Sequence, residues 1–191
     1  MSTGSCIARP TETGYSGIYV HFDGYPSGRL PLLLAAYQYK FARDVEAMNV
    51  HLIDQVAIAW EELGTDLLDG APKPLVRKLT GGDRWPSREM DNLVTSDGSP
   101  PVREVITEAN SSSLSWGYIL HPEGIEVISL YAADRGPIVD WNTDPLTRFS
   151  DHPYLWLPGH PVPATQPPRT KRALAVATKT TPAAAKPAVR R

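Results

Sequence analysis

Residues 161–191 carry seven basic side chains, Arg169, Lys171, Arg172, Lys179, Lys186, Arg190 and Arg191, and no acid, with prolines at 161, 163, 167, 168, 182 and 187. A stretch of this kind has too little apolar surface to offset the entropy of ordering it. It is therefore expected to be a disordered basic tail, and whatever folds must be completed within residues 1–160. The split also divides the charge. Of 19 basic and 21 acidic residues, seven basic ones belong to the tail, which leaves 12 against 21 and a net charge of −9 in the body. An acidic body repels nucleic acid over most of its surface, so weak, sequence-independent nucleic-acid binding is expected only through the tail.

A body of 160 residues buries roughly 70% of the surface its unfolded chain exposes, enough to stand without staples. The single cysteine, Cys6, excludes an intramolecular disulfide. The longest uncharged apolar run, residues 30–39, falls well short of the ~20 residues a membrane span requires. No leader-like segment opens the chain, so a cytoplasmic location and no membrane association are expected.

Short apolar runs at residues 5–8 and 17–22 flank the polar segment 9–16 and predict a hairpin with a long loop. Gly24, Pro26 and Gly28 mark a turn, after which residues 30–41 suit a helix with Ser27 as cap and Pro31 tolerated in the first turn. Asp44 caps a second expected helix, in which Val45, Met48, Leu52, Val56, Ala59, Trp60 and Leu63 recur at steps of three and four up to Gly64. Residues 70–113 read as a long connection with one short helix near 102–109. Residues 116–120 and 125–131 flank the turn His121-Pro122-Glu123-Gly124 and predict a second hairpin. The order predicts an α+β domain: an antiparallel sheet of four or five strands with two main helices packed on one face.

The densest polar and aromatic constellation is the segment from Tyr19 to Arg29, where a strand runs into a Gly/Pro turn and then a helix. Alternation puts Tyr19, His21 and Asp23 on one strand face and Val20 and Phe22 on the other. Arg29 and the helix N-terminus supply positive potential there, and His21 supplies a proton donor near neutral pH, a combination that suits a small anion. Tyr19, His21, Asp23, Tyr25 and Arg29 are thus the candidate ligand-binding residues. The plainer reading is local: Asp23 bonds the turn backbone, the glycines supply unusual backbone angles, and Tyr25 plugs the core.

The same segment, Tyr19-Val20-His21-Phe22-Asp23-Gly24-Tyr25-Pro26 with Gly28 following, resembles a family of phage and bacterial proteins with no established activity. Its members open with Met-Gly-Thr-Arg-Ser and carry a His-Trp-Asp-Gly-Tyr-Pro turn before an apolar helix. Met1-Ser2-Thr3-Gly4-Ser5 matches that opening loosely, and Phe22 stands at the Trp position. The resemblance covers about the first 55 residues and implies a mobile-element origin.

His121, His152 and His160 with Asp151 match no zinc spacing, so no metal is expected, and no cofactor motif is present. Cys6 beside Ile7 reads as a buried hydrophobe, and Trp116, Trp141 and Trp156 with Tyr154 read as core before they read as a binding surface. The leading functional expectation is a non-enzymatic binding or interaction protein that holds a small, nucleotide-like anion around residues 19–29. Two alternatives stand beside it: a hydrolase of a phosphate-bearing substrate using His21 and Asp23, and a structural module that binds a protein partner.

Overall fold

A computed structural model describes residues 3–90 and 102–165. Two strands, β1 (Ser5–Thr11) and β2 (Gly14–Val20), form an antiparallel hairpin with Thr11 opposite Gly14. The connection is therefore only Glu12 and Thr13, not the long loop expected over residues 9–16. Two helical segments follow. Helix α1 (Pro26–Ala35) continues into a π-type turn over Ala36–Lys40, and α2 (Val45–Asn49) continues into another over Val50–Asp54. The widening is direct in the backbone, where the Phe41 N–H donates to Ala36 O and the Gln55 N–H to Val50 O.

Helix α1 begins at Pro26, earlier than the residue-30 start predicted, because a proline at the first position gives up only a backbone N–H that has no intrahelical acceptor. Asp44 caps α2 as expected, its carboxylate accepting from the N–H groups of Glu46 and Ala47. The second helix does not run to Gly64. It stops near Asp54, and Trp60 enters β3 (Trp60–Glu62), which pairs in parallel with β2 at Val20. The apolar steps of three and four persist past the helix because Trp60 folds back: its indole N–H donates to Leu52 O, a carbonyl in the helix's last turn.

Residues 70–113 hold more regular structure than expected: helix α3 (Lys73–Thr80) and the two-residue strands β4 (Arg88–Glu89) and β5 (Ile106–Thr107). The short helix predicted near residues 102–109 is instead β5 followed by a turn. The second hairpin is present as β6 (Trp116–Leu120) and β7 (Gly124–Ser129), after which come β8 (Ile138–Asp140) and a small separate pair, β9 (Arg148–Phe149) with β10 (Ala164–Thr165). Strand β10 lies beyond the expected boundary at His160; residues 166–191 of the expected tail fall outside the described residues.

The fold is α+β, with a larger and differently paired sheet than the sequence predicts. Eight strands make one sheet in the order β4-β3-β2-β1-β6-β7-β8, with β5 added beside β2. The sheet is mixed and not antiparallel, since β1–β6 and β2–β3 are parallel pairs. The chain leaves β2, passes through α1 and α2, and returns along the same direction, and a crossover of that length produces a parallel neighbour.

Leu30, Leu33 and Leu34 of α1 and Met48 and Leu52 of α2 share one buried cluster with Ile7, Ile18, Val20, Tyr118 and Val127. The opposite sheet face holds a smaller cluster, Cys6, Ala8, Tyr15, Ile119 and Ile128, closed by Ile106 and Leu114. With both faces covered, β6 and β7 are buried at every position.

Candidate functional site

Past Val20 the chain keeps two further hydrogen bonds to β3, from His21 N–H to Trp60 O and from Phe22 N–H to Glu61 O, and then turns sharply. Asp23 takes a left-handed backbone (φ 55°), and Gly24 fits where nothing larger can: a Cβ there would lie 2.4 Å from Thr3 O. The Gly24 N–H donates to that same oxygen, and Gly24 O accepts the Tyr118 hydroxyl at 2.6 Å from beneath the sheet. These contacts set the direction in which α1 leaves the turn.

That change of direction separates the expected site residues. Tyr19 and His21 stay on the strand face turned away from the helices, where the Tyr19 hydroxyl and His21 Nδ1 share a 2.7 Å hydrogen bond. They line a cavity of about 410 Å³ with Glu104, Asn110 and Ser113. Asp23, Tyr25 and Arg29 line a different and larger cleft of about 880 Å³ on the helical side. The strand alternation that would keep Asp23 beside His21 ends with the left-handed residue.

The cleft lies among the first half of α1, the α3-to-Trp85 segment and the loop 145–149, with walls including Leu32, Leu63, Leu68, Leu146 and Phe149. Arg29, on the inner side of α1, is only 2% exposed. Its Nη2 donates to Phe22 O at 2.6 Å, while its Nε has no hydrogen-bond partner among the described residues. No carboxylate there lies within ion-pair distance of it. Burial draws the Arg29 guanidinium below its ordinary pKa, opposed by Tyr118 and by the charges of Asp23 and Glu62. Thr147, also 2% exposed, likewise leaves its hydroxyl unpartnered at the cleft. Lys78 and Arg148 line the cleft from exposed positions. Among the described residues, three cations against one carboxylate, Asp23, make this lining positive within a body of net charge −9.

The helix N-terminus, expected to help hold the anion, is already occupied. The Ser27 N–H and hydroxyl both donate to the carboxylate of Asp151, at 2.8 and 2.7 Å. Ser27 is therefore a donor inside the first turn, and the cap comes from a residue 124 positions later.

The lining residues that escaped the sequence reading include Lys78, Trp85, Thr147 and Arg148. Trp85 is the one tryptophan of five that is not buried. It is pinned on the wall from two sides, by N–H and carbonyl bonds with Thr65 and by its indole N–H to Leu63 O at 3.3 Å.

The remaining candidates have structural occupations. Cys6 is fully buried, and burial pushes its thiol pKa up to about 12, so it stays protonated and unreactive. His121 Nε2 meets Glu126 at 3.0 Å, and the same carboxylate accepts from Arg135 and Gly136. Trp116, Trp141 and Trp156 are core; Tyr154 is exposed. Among the described residues, no group of three His, Cys, Asp or Glu side chains is arranged to hold a metal. Comparison of the chain with known protein families, with curated proteins and with solved structures found none that matches, so the functional reading rests on the geometry of the cleft.

Proposed function

We propose that this protein binds a small anionic ligand in the cleft beside the strand-to-helix turn, with Arg29 as the principal counter-charge and Asp23 and Tyr25 at the rim. The observation that carries the reading is the state of Arg29: a buried cation that has, among the described residues, an unpartnered nitrogen and no carboxylate in ion-pair contact. Burying a charge without a close partner costs several kcal/mol, and an anion entering the cleft offsets that cost. Thr147 adds an unspent hydroxyl, and Lys78 and Arg148 add long-range attraction.

Binding is favoured over turnover by the make-up of the lining, which among the described residues holds no histidine or cysteine and a single carboxylate. His21, the general acid or base of the hydrolase alternative, lines the smaller cavity with Tyr19. The mobile-element setting rests on the resemblance of the Tyr19–Gly28 segment alone.

Thermal unfolding and calorimetry with inorganic phosphate, pyrophosphate and sulfate test the reading. A ligand at 100 times its Kd stabilises by about 2.7 kcal/mol, several degrees in Tm for a protein of this size. The expected result is a saturable rise with the ligand recovered unchanged. No rise and no heat with any of them sinks the reading, and conversion of the ligand replaces it with catalysis.

A further inference from the structure

Resting on the anion-binding reading above, we infer that the cleft is built for a mononucleotide, with the phosphate held by Arg29, Thr147 and Arg148 and the base stacked on Trp85. The cleft is lined by two chemically distinct sets of residues. One is cationic and polar: Arg29 and Thr147 with unspent donors, and Arg148 adjacent in sequence to Thr147. The other is apolar and carries Trp85 with Leu63 and Leu68. A volume of about 880 Å³ is well beyond what phosphate alone fills and lies within the range of small-molecule sites. A ligand that satisfies both sets joins a compact anion to a flat apolar body, and a nucleoside phosphate is such a combination.

Trp85 has the properties of a stacking platform. It is half-buried while Trp60, Trp116, Trp141 and Trp156 are buried, so it keeps surface available. Its backbone and its indole nitrogen are fixed by Thr65 and Leu63, so little side-chain entropy remains to be lost when a base covers it. Such stacking is tolerant of base identity because every base offers a π-face. The geometry therefore gives a preference for nucleotides over phosphate and weak discrimination among bases.

The test uses the full chain with inorganic phosphate, AMP and UMP as probes, read by calorimetry and by tryptophan emission. AMP and UMP are expected to bind about five- to 150-fold tighter than phosphate, the range that stacking on an aromatic side chain supplies. Both should quench the solvent-accessible part of the emission. Trp85→Leu should remove the quench and reduce AMP affinity to that of phosphate, whereas Trp85→Phe should keep most of the affinity. Arg148→Ala, at an exposed position, should weaken phosphate and AMP by a similar factor. Phosphate binding with no gain for AMP overturns the nucleotide assignment and leaves the anion reading intact; binding of neither overturns both. AMP binding that Trp85→Leu does not alter overturns the stacking role. A 5′-phosphorylated oligonucleotide that displaces AMP at concentrations well below the AMP Kd overturns the free mononucleotide in favour of a nucleic-acid end.

Discussion

The carboxylate of Asp151 takes both hydrogen bonds that Ser27 can donate, 2.8 Å from its backbone nitrogen and 2.7 Å from its hydroxyl, and so ties the loop before Trp156 to the first turn of α1. This relationship changes how an anion can be recognised. A helix N-terminus attracts anions through N–H groups that lack intrahelical partners. Here one of those groups is spent on the protein's own carboxylate, and the positive charge for a ligand has to come from side chains.

Asp151→Ala should accordingly behave as the loss of a helix cap. The expected destabilisation is about 1–2 kcal/mol, a Tm decrease of several degrees. Ser27→Ala, which keeps the backbone donor, should cost less. Equal effects in thermal unfolding would show that the hydroxyl bond alone matters; no effect of Asp151→Ala would show that the tie is not stabilising.

Arg29→Met separates stability from binding. Replacing a buried charge by an apolar side chain of similar volume is often neutral or stabilising, and here, among the described residues, the Phe22 carbonyl alone loses a bond. The variant should melt at or above the wild-type temperature while losing the anion-dependent rise. Retention of the full rise would remove Arg29 from the site.

Acid sensitivity should centre on His51. Burial lowers its pKa first and foremost, the neighbouring Lys40 lowers it further, and Asp66 and Glu89 act in the opposite sense. Its Nε2 is buried without a hydrogen-bond partner among the described residues, and the ring lies against Phe41 and Trp60. With the folded pKa below the ordinary 6.5, the unfolded chain takes up the proton first as pH falls. Stability is then full above that value and declines as pH drops toward the folded pKa. Asp66 adds a separate loss at lower pH: burial raises its pKa, but hydrogen bonds from Ser87 and the charge of Lys40 hold it below its ordinary 3.8. Tm measured from pH 7.5 to 5 should fall in the wild type and flatten in His51→Leu. An identical slope in both would place the acid-sensitive group elsewhere.

The parts of the fold legible in the sequence are those in which local signals and tertiary packing agree. Asp44 followed by Val45, Met48 and Leu52 reads as a capped amphipathic helix and is one. The β6–β7 hairpin reads from its apolar runs and its turn, and it forms. Trp60 misled because the same periodicity arises from a strand residue packed back on the helix, with Leu52 O as its partner. Strands of two or three residues, such as β3, β4, β5 and β8, carry too few positions for any alternation to show, which is why the sheet is nearly twice the predicted size. The candidate site divides for a similar reason. Arg29 and Asp23 could be picked from the turn motif, but a single left-handed residue at Asp23 carries the chain away from His21. Thr147, just before β9, and Arg148, its first residue, reach the cleft only through the tertiary path of that segment.

The basic tail gives the last prediction. Ser150 N–H donates to Pro163 O, Val162 packs on the main core, and β10 pairs with β9 through Thr165, so a cut at His160 would remove structure along with charge. All seven tail cations lie at or beyond Arg169. Deleting residues 166–191 therefore removes the charge and leaves every described contact in place. Nucleic-acid retention by the full chain should depend on salt with a log–log slope no steeper than about −6, the limit for seven phosphate contacts on duplex DNA. The truncated protein should lose that retention and melt within a degree or two of the full chain, because its acidic remainder repels phosphate except at the cleft. Its affinity for AMP should be unchanged, since Arg29, Trp85, Thr147 and Arg148 all remain. Undiminished DNA binding after truncation would mean that the folded body carries a second basic surface, and a loss of AMP binding would mean that the tail reaches the cleft.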